Sequence, residues 1–258
     1  MYLYIIYKFN IIKYMRAKLK LIDQLTFSDE CKSIVLGSLL GDGSLRIQKG
    51  YKNARLSIKH SEVQAKYFYW KVSKLKELAS DKSVQFLKST GFSSNNKLLF
   101  QSKSTEELTK LYNYVCANNK LKIQRRWLNK LTPLSLMIWW LDDGSLISNY
   151  RRGVLCTDNF NYDELLILVR YFRIVWSVRV TIIKLSKNYK GVQKTYYRLA
   201  FSTTELKKFF KIFLHLIPIP EVLYKVAIRY KDPIFQQRWT SELISTLPHF
   251  KEYIQKMI

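Results

Sequence analysis

Acidic residues are scarce. The 258-residue chain has 19 aspartates and glutamates against 44 lysines and arginines, a formal net charge of +25. Charge of that size opposes folding by self-repulsion and draws in polyanions, so a phosphate-rich partner is the natural reading. Cysteine and histidine are rarer still. Cys31, Cys116 and Cys156 show no CxxC spacing, and with His60, His215 and His249 they make no zinc site. A reduced intracellular compartment fits so little cysteine. Long apolar runs are also missing: the best, Leu134 to Leu141, is far below the roughly 18 to 20 residues that cross a bilayer. A basic membrane-surface protein would show a helix with one apolar and one basic face, but here the cleanest alternation lies in strands. The start, MYLYIIYKFNIIKYMRAKLK, lacks the apolar core and cleavage site of a signal peptide and the serines of a transit peptide. Residues 1–30 are expected to be an N-terminal extension.

What is present is a globular composition, 48% hydrophobic, long enough for one large domain or two half-sized ones. The abundance of Ile, Lys, Asn, Tyr and Phe suggests AT-rich coding DNA. The chain carries two copies of one pattern. SIVLGSLLGDGSL at 33–45 and LSLMIWWLDDGSL at 134–146 are apolar runs closed by Asp-Gly-Ser-Leu, with Asp42 and Asp143 101 residues apart. Downstream, LLFQSKSTEELTKLYNYV (98–115) resembles RLAFSTTELKKFFKIFL (198–214), and Glu107 and Glu205 are 98 apart. Two landmarks at nearly one offset predict two similar halves, 31–129 and 130–232, followed by a C-terminal tail at 233–258.

Each copy reads as helix, two strands, helix, two strands, helix. Leu45 to Gln48 and Arg55 to Lys59 alternate with the period of a half-buried strand. Residues 61–79 read as a helix with Val63, Lys66, Tyr67, Trp70 and Val72 on one stripe. The second copy gives strand 153–157, helix 161–176 capped near Asn161, strands 178–186 and 194–202, and helix 204–214. The expected class is α+β.

Both motif helices end in acid followed by glycine, Asp42-Gly43 and Asp142-Asp143-Gly144. Glycine just past a helix suggests C-capping. Acid there is unusual, because the helix C-terminus is already negative and prefers cations. A divalent metal supplies the missing positive partner. Gly37 and Gly41 lie one turn apart and would let another backbone come close, whereas the second helix carries Met137, Ile138, Trp139 and Trp140 instead.

VLGSLLGDG (35–43) and LMIWWLDDG (136–144) resemble the two motifs of the single-chain LAGLIDADG homing endonucleases, and LTPLSLMIWWLDDGSL resembles their yeast mitochondrial intron subgroup. The resemblance covers about residues 31–230. It implies a pseudo-two-fold pair of αββαββα halves, with motif helices packed at the centre and two antiparallel sheets forming a saddle over DNA. It implies a monomer acting as a pseudo-dimer that cuts both strands of a long asymmetric site by metal-dependent hydrolysis, leaving short 3′ overhangs. It puts the metal acids at Asp42 and Asp143, with Gly41 and Asp142 beside them, and Mg2+ or Mn2+ as the ion. Ca2+ is expected to support binding without cleavage. One active-site lysine is expected per half: Lys225 in the second, and Lys120 or Lys122 in the first. Counting back from Leu131-Thr132-Pro133 favours Lys120, and repeat spacing favours Lys122.

For DNA recognition the outward strand face offers Arg46, Gln48, Arg55, Ser57 and Lys59 in the first half. The second half offers Arg151, Arg152, Arg179, Lys184, Lys194 and Arg198. Arg, Lys and Gln on such a ribbon can read base edges or hold phosphates. Intron RNA is the alternative partner, since a maturase can share this fold, and an organelle, mitochondrion or chloroplast, is the expected location.

Overall fold

The computed structural model of the protein describes residues 22–89, 95–189 and 191–258. Helix α1 (Asp29–Leu40) starts at Ser28, whose hydroxyl accepts the Cys31 N–H at 3.2 Å, and carries Asp29 and Glu30 in its positive first turn. Strands β1 (Gly43–Arg46) and β2 (Arg55–Ser61) follow, then helix α2 (Ala65–Lys74), strands β3 (Val84–Leu87) and β4 (Lys97–Gln101), and helix α3 (Glu106–Val115). A short hairpin, β5 (Cys116–Ala117) and β6 (Lys120–Leu121), and the one-turn helix α4 (Arg125–Leu128) lead into the second half. That half repeats the order: α5 (Pro133–Asp143), β7 (Gly144–Ile147), β8 (Arg152–Leu155), α6 (Tyr162–Val175), β9 (Thr181–Tyr189), β10 (Val192–Phe201) and α7 (Thr203–Phe213). The α+β class and the αββαββα halves are as the repeat predicts. Thr132 and Ser135 form a capping box at α5, with Pro133 in the first turn, and Asn161 and Glu164 form another at α6.

The sheets run β1-β2-β4-β3 and β7-β8-β10-β9, with antiparallel neighbours throughout. In β2 the core takes Leu56, Ile58 and His60, while Arg55, Ser57 and Lys59 face away from it. At the centre α1 and α5 pack backbone to backbone. A Cβ on Gly37 would lie 2.5 Å from the Ser135 carbonyl oxygen and 2.8 Å from Ile138 Cβ, and one on Gly41 would lie 2.5 Å from Asp142 Cβ. Glycine on α1 therefore makes the room that Ile138 and Asp142 fill, and the missing glycine on α5 does not keep the helices apart. Ser135 Oγ donates to the Ser33 carbonyl at 2.9 Å across this contact.

The motif glycines after the helices work differently from the capping expectation. Gly144 has φ −76°, and among the described residues the glycines with positive φ are Gly50 and Gly191. What excludes a side chain at Gly43 and Gly144 is packing, since a Cβ there would come within 2.7 Å of the Ser38 carbonyl oxygen and 2.3 Å of the Trp140 ring.

The stripe on α2 also differs. Its buried residues are Tyr67, Phe68 and Lys71, while Val63 is 82% exposed in the turn before the helix. AKYFYWKV is aromatic on adjacent faces, so periodicity alone could not choose between them. The chain ends hold further differences. Ile22, Leu25 and Phe27 are buried in the core, and the rest of the expected extension, residues 1–21, lies outside the described residues. The tail forms helices α8 (Pro233–Thr246) and α9 (Lys251–Met257), which bury Trp239, Leu243 and Ile254. Glu242 of α8 ties it to Lys207 and Lys211 of α7 at 2.7 and 2.8 Å.

Candidate active site

Packing α1 against α5 brings the two motif ends together. Asp42 follows α1, Asp143 closes α5, and neither helix has a basic residue in its last turn to offset the dipole. Burial first, and then the charge of Asp142, pushes the Asp42 carboxyl up to about 6. Burial, and then the charges of Asp42 and Asp142, pushes Asp143 up to about 7. Lys225, in the 3₁₀ turn Pro220–Lys225, donates to the Gly144 carbonyl at 2.7 Å. Burial lowers its pKa, and Asp142, Asp42 and Asp143 oppose that shift. Its own carbonyl accepts Trp140 Nε1 at 2.9 Å, which fixes the turn to the motif helix.

Asp142 is occupied within the protein. Oδ1 accepts Lys71 Nζ at 2.7 Å and the Tyr67 hydroxyl at 3.0 Å, and Oδ2 accepts the Asp42 N–H at 3.2 Å. Lys71 is 1% exposed and also lies 3.2 Å from His60 Nε2. Lys71, His60 and Tyr67 were not singled out as site residues from sequence. The available signal was Lys71 four residues after Tyr67, a charge on a stripe that continues to buried Leu75.

Of the first-half lysine candidates, Lys120 lines a cleft of about 320 Å³ together with Gly41, Asp143, Cys156 and Asn159. The β5–β6 turn sets it there through Asn118 and Asn119, both left-handed at φ 51° and 59°. Lys122 is half-buried and outside that lining; its carbonyl accepts Trp127 Nε1 at 2.7 Å.

The register puts Arg46, Arg55, Ser57 and Lys59 on one face of the first sheet, since Arg46 pairs with Arg55 and Ser44 with Ser57. Gln48 lies beyond the end of β1. In the second sheet Arg152, Lys194 and Arg198 share the corresponding face, and Arg198 is held by Asp158 at 2.6 Å. Lys184 requires a correction. It pairs with Tyr197, and two residues before it Ile182 pairs with fully buried Leu199, so it belongs to the opposite face of the ribbon. Arg151 sits in the β7–β8 turn, and Arg179 precedes β9 with its N–H on Glu205 at 2.7 Å.

A family profile described as the LAGLIDADG DNA endonuclease family matches residues 32–209. The chain belongs to the LAGLIDADG endonuclease family. The structure of the homing endonuclease I-WcaI bound to its DNA recognition sequence has the same fold, at a TM-score of 0.66 and 22% identity, over 82% of this chain and 92% of that one. Protein RecA of Mycobacterium gastri is 39% identical over 121 residues, which are 46% of this chain and 27% of RecA. Cytochrome b mRNA maturase bI2 of Saccharomyces cerevisiae is 28% identical over 166 residues, 60% of this chain and 38% of the maturase. The chain thus spans only about a quarter to two fifths of these two relatives.

A divalent cation, which the LAGLIDADG family implies, fits the donors present. Asp142 pairs with Lys71, and Lys225 faces Asp142, Asp42 and Asp143, so with all three carboxyls ionised the cluster carries one negative charge in excess. Burial, and then mutual repulsion, raises Asp42 and Asp143, and oxygen donors of this kind suit a hard ion.

Proposed function

We propose that the protein is a site-specific homing endonuclease that makes a double-strand break, with short 3′ overhangs, in a long asymmetric DNA target. The observation that carries this reading is the convergence of Asp42 and Asp143 at the ends of two packed motif helices. Mg2+ or Mn2+ would be held by Asp42 and Asp143, with Gly41 and Asp142 adjoining. When bound, such an ion supplies Lewis-acid stabilisation and an acidified water. The protein's own part is positioning and charge. Lys225 keeps an ammonium beside the three acids, where it stabilises phosphoryl charge that grows only in the transition state. Lys120 fills that role in the first half, supported by its place in the cleft with Gly41 and Asp143. Arg46, Arg55, Ser57, Lys59, Arg152, Lys194 and Arg198 face the duplex. I-WcaI's binding of its recognition sequence supports double-stranded DNA as partner, and two unlike sheets in one monomer suit an asymmetric site.

The test is cleavage of a supercoiled plasmid carrying the DNA that flanks the gene's own insertion point, with and without Mg2+. Linear product requiring Mg2+ is expected, and Ca2+ should support a gel shift without cutting. Contact with six to ten phosphates should weaken binding by about 10³- to 10⁵-fold between 50 and 200 mM salt. No linear product, or a flat salt response, would overturn the reading.

A second reading is a splicing cofactor for intron RNA, favoured by the likeness to the bI2 maturase. An organelle location accords with either reading and with the Ile-, Lys- and Asn-rich composition. Splicing of the host intron by an Asp42→Asn variant would separate this role from cleavage, because RNA binding needs no paired metal acids. Among the described residues, no helix is long and apolar enough to cross a membrane.

A further inference from the structure

We propose that Lys71 is a positioning residue for Asp42, reaching it through two arms, Asp142 and His60. The inference rests on the nuclease reading above, and it concerns how one of the two metal acids is held.

The first arm is backbone. Lys71 Nζ fixes Asp142 Oδ1 at 2.7 Å, helped by the Tyr67 hydroxyl at 3.0 Å, so that Oδ2 faces α1 and accepts the Asp42 N–H at 3.2 Å. The contact is close because Gly41 has no side chain: a Cβ there would lie 2.5 Å from Asp142 Cβ. The second arm is the imidazole. Lys71 can only donate, so at 3.2 Å it needs the lone pair of His60 Nε2, and the ring proton must sit on Nδ1. That N–H donates to Gln64 Oε1 at 3.2 Å, which holds the ring edge against Asp42 with Nδ1 3.5 Å from Oδ2, a packing contact and not a hydrogen bond. Burial, and then Lys71, hold the His60 pKa down to about 4, in keeping with a ring that carries one proton.

The geometry also explains what the lysine excludes. Ligand atoms of Asp42, His60 and Asp142 lie within 4.8 Å of one another, a grouping that could itself hold a metal ion. The Lys71 ammonium sits against two of the three groups, with the Tyr67 ring centroid 4.7 Å away. It therefore competes for the place of a cation in this grouping and leaves Asp42 to pair with Asp143. Among the described residues, the second half has no such device. His60 lies two residues past Ile58, the partner of Gly43, and the corresponding residue two past Leu155, the partner of Gly144, is Thr157. Thr157 is turned to the Tyr197 carbonyl at 2.8 Å.

A lysine that merely neutralises Asp142 would predict wild-type metal affinity in His60→Leu, where the Lys71–Asp142 pair is intact, so that variant separates the two roles. A double variant removes the pair itself. Lys71→Met/Asp142→Asn removes both charges, so no unpaired ion stays buried. Folding is checked by circular dichroism, DNA affinity by gel shift, and metal affinity by electron paramagnetic resonance titration of Mn2+ into the protein–DNA complex. A positioning role predicts unchanged DNA affinity, with Mn2+ affinity and saturating single-turnover cleavage both about 10- to 100-fold lower, the range for outer partners of metal ligands. His60→Leu, which cuts the second arm alone and adds no charge, should move the same two readouts less. Wild-type Mn2+ affinity in either variant would overturn the positioning role. Absence of cleavage in the wild-type protein would instead overturn the nuclease reading, and the Mn2+ titration would still decide for or against the Lys71 role.

Discussion

The two halves share a backbone plan and differ in what fills it. Behind Asp42 the first half buries ionisable groups, Lys71, His60 and Tyr67, which converge on Asp142 of the other half. Around α5 the second half buries rings. Phe209 meets Trp140, Phe172, Phe201, Phe210 and Phe213 at centroid distances of 5.0 to 6.3 Å. Such pairs add about 0.5–1.5 kcal/mol each beyond area burial. The sheets diverge as well: β9 and β10 have 9 and 10 residues, and their counterparts β3 and β4 have 4 and 5. A repeat can thus preserve the placing of its two acids while each copy finds its own way to hold them. Asp42 is tied by its N–H to the braced Asp142, and the helix that carries Asp143 packs its Trp140 among phenylalanines.

The largest effects should come where the halves are alike. Asp42→Asn and Asp143→Asn should each abolish double-strand cleavage, by on the order of 10³-fold or more, while DNA binding stays nearly intact, because the proposed DNA contacts lie on the sheets. Full activity in either would show that the two acids do not form one site. Next comes the aromatic interior. Phe209→Ala should cost about 3–5 kcal/mol of stability in urea unfolding, because the surrounding rings cannot close the cavity. A loss below about 1 kcal/mol would mean that α5 does not depend on that core. A smaller effect is expected at Lys225, for which Lys225→Met should slow saturated single-turnover cleavage about 10²-fold, with nicked circle accumulating before linear product. The same substitution at Lys120 should slow the other strand, and at Lys122 it should do little. An unchanged saturated rate with weaker binding would make Lys225 a phosphate anchor only.

What could be read from the residues follows a physical line. The acids and the repeat were legible because they are local: an apolar run closed by Asp-Gly announces a helix end, and two copies at one spacing announce a pair. The strand faces were legible through alternation as far as Arg198 and Lys59. They failed at Lys184, where the register along a long ribbon, and not the residue type, decides the side. The Lys71 network was hidden because its partners come from β2, α2 and α5, up to 82 residues apart in the chain, and no local pattern links them. The helices of the tail were missed for a related reason. Their buried face is completed by another element: Trp239 stacks on Phe210 of α7 at 6.4 Å between centroids, and no pattern within the tail shows that partner.

The smallest effect should separate the two acids by pH. Both carboxyls are raised above an ordinary aspartate near 3.8, Asp42 to about 6 and Asp143 to about 7. The folded protein therefore holds protons there that the unfolded chain has already lost. The stability these groups confer is complete below about pH 4 and is lost as the pH rises through 6 and then 7. A divalent cation at the proposed site would bind the deprotonated pair in the folded state and restore stability by mass action. In a thermal-shift series from pH 5.5 to 8, Mg2+ should raise Tm little at the acidic end and by a few degrees at the alkaline end. Asp143→Asn should flatten the upper part of the metal-free decline, and Asp42→Asn the lower part, because Asp143 titrates later. If Mg2+ raised Tm equally at every pH, its binding would not compete with these protons, and the paired acids would lose their place as the metal site.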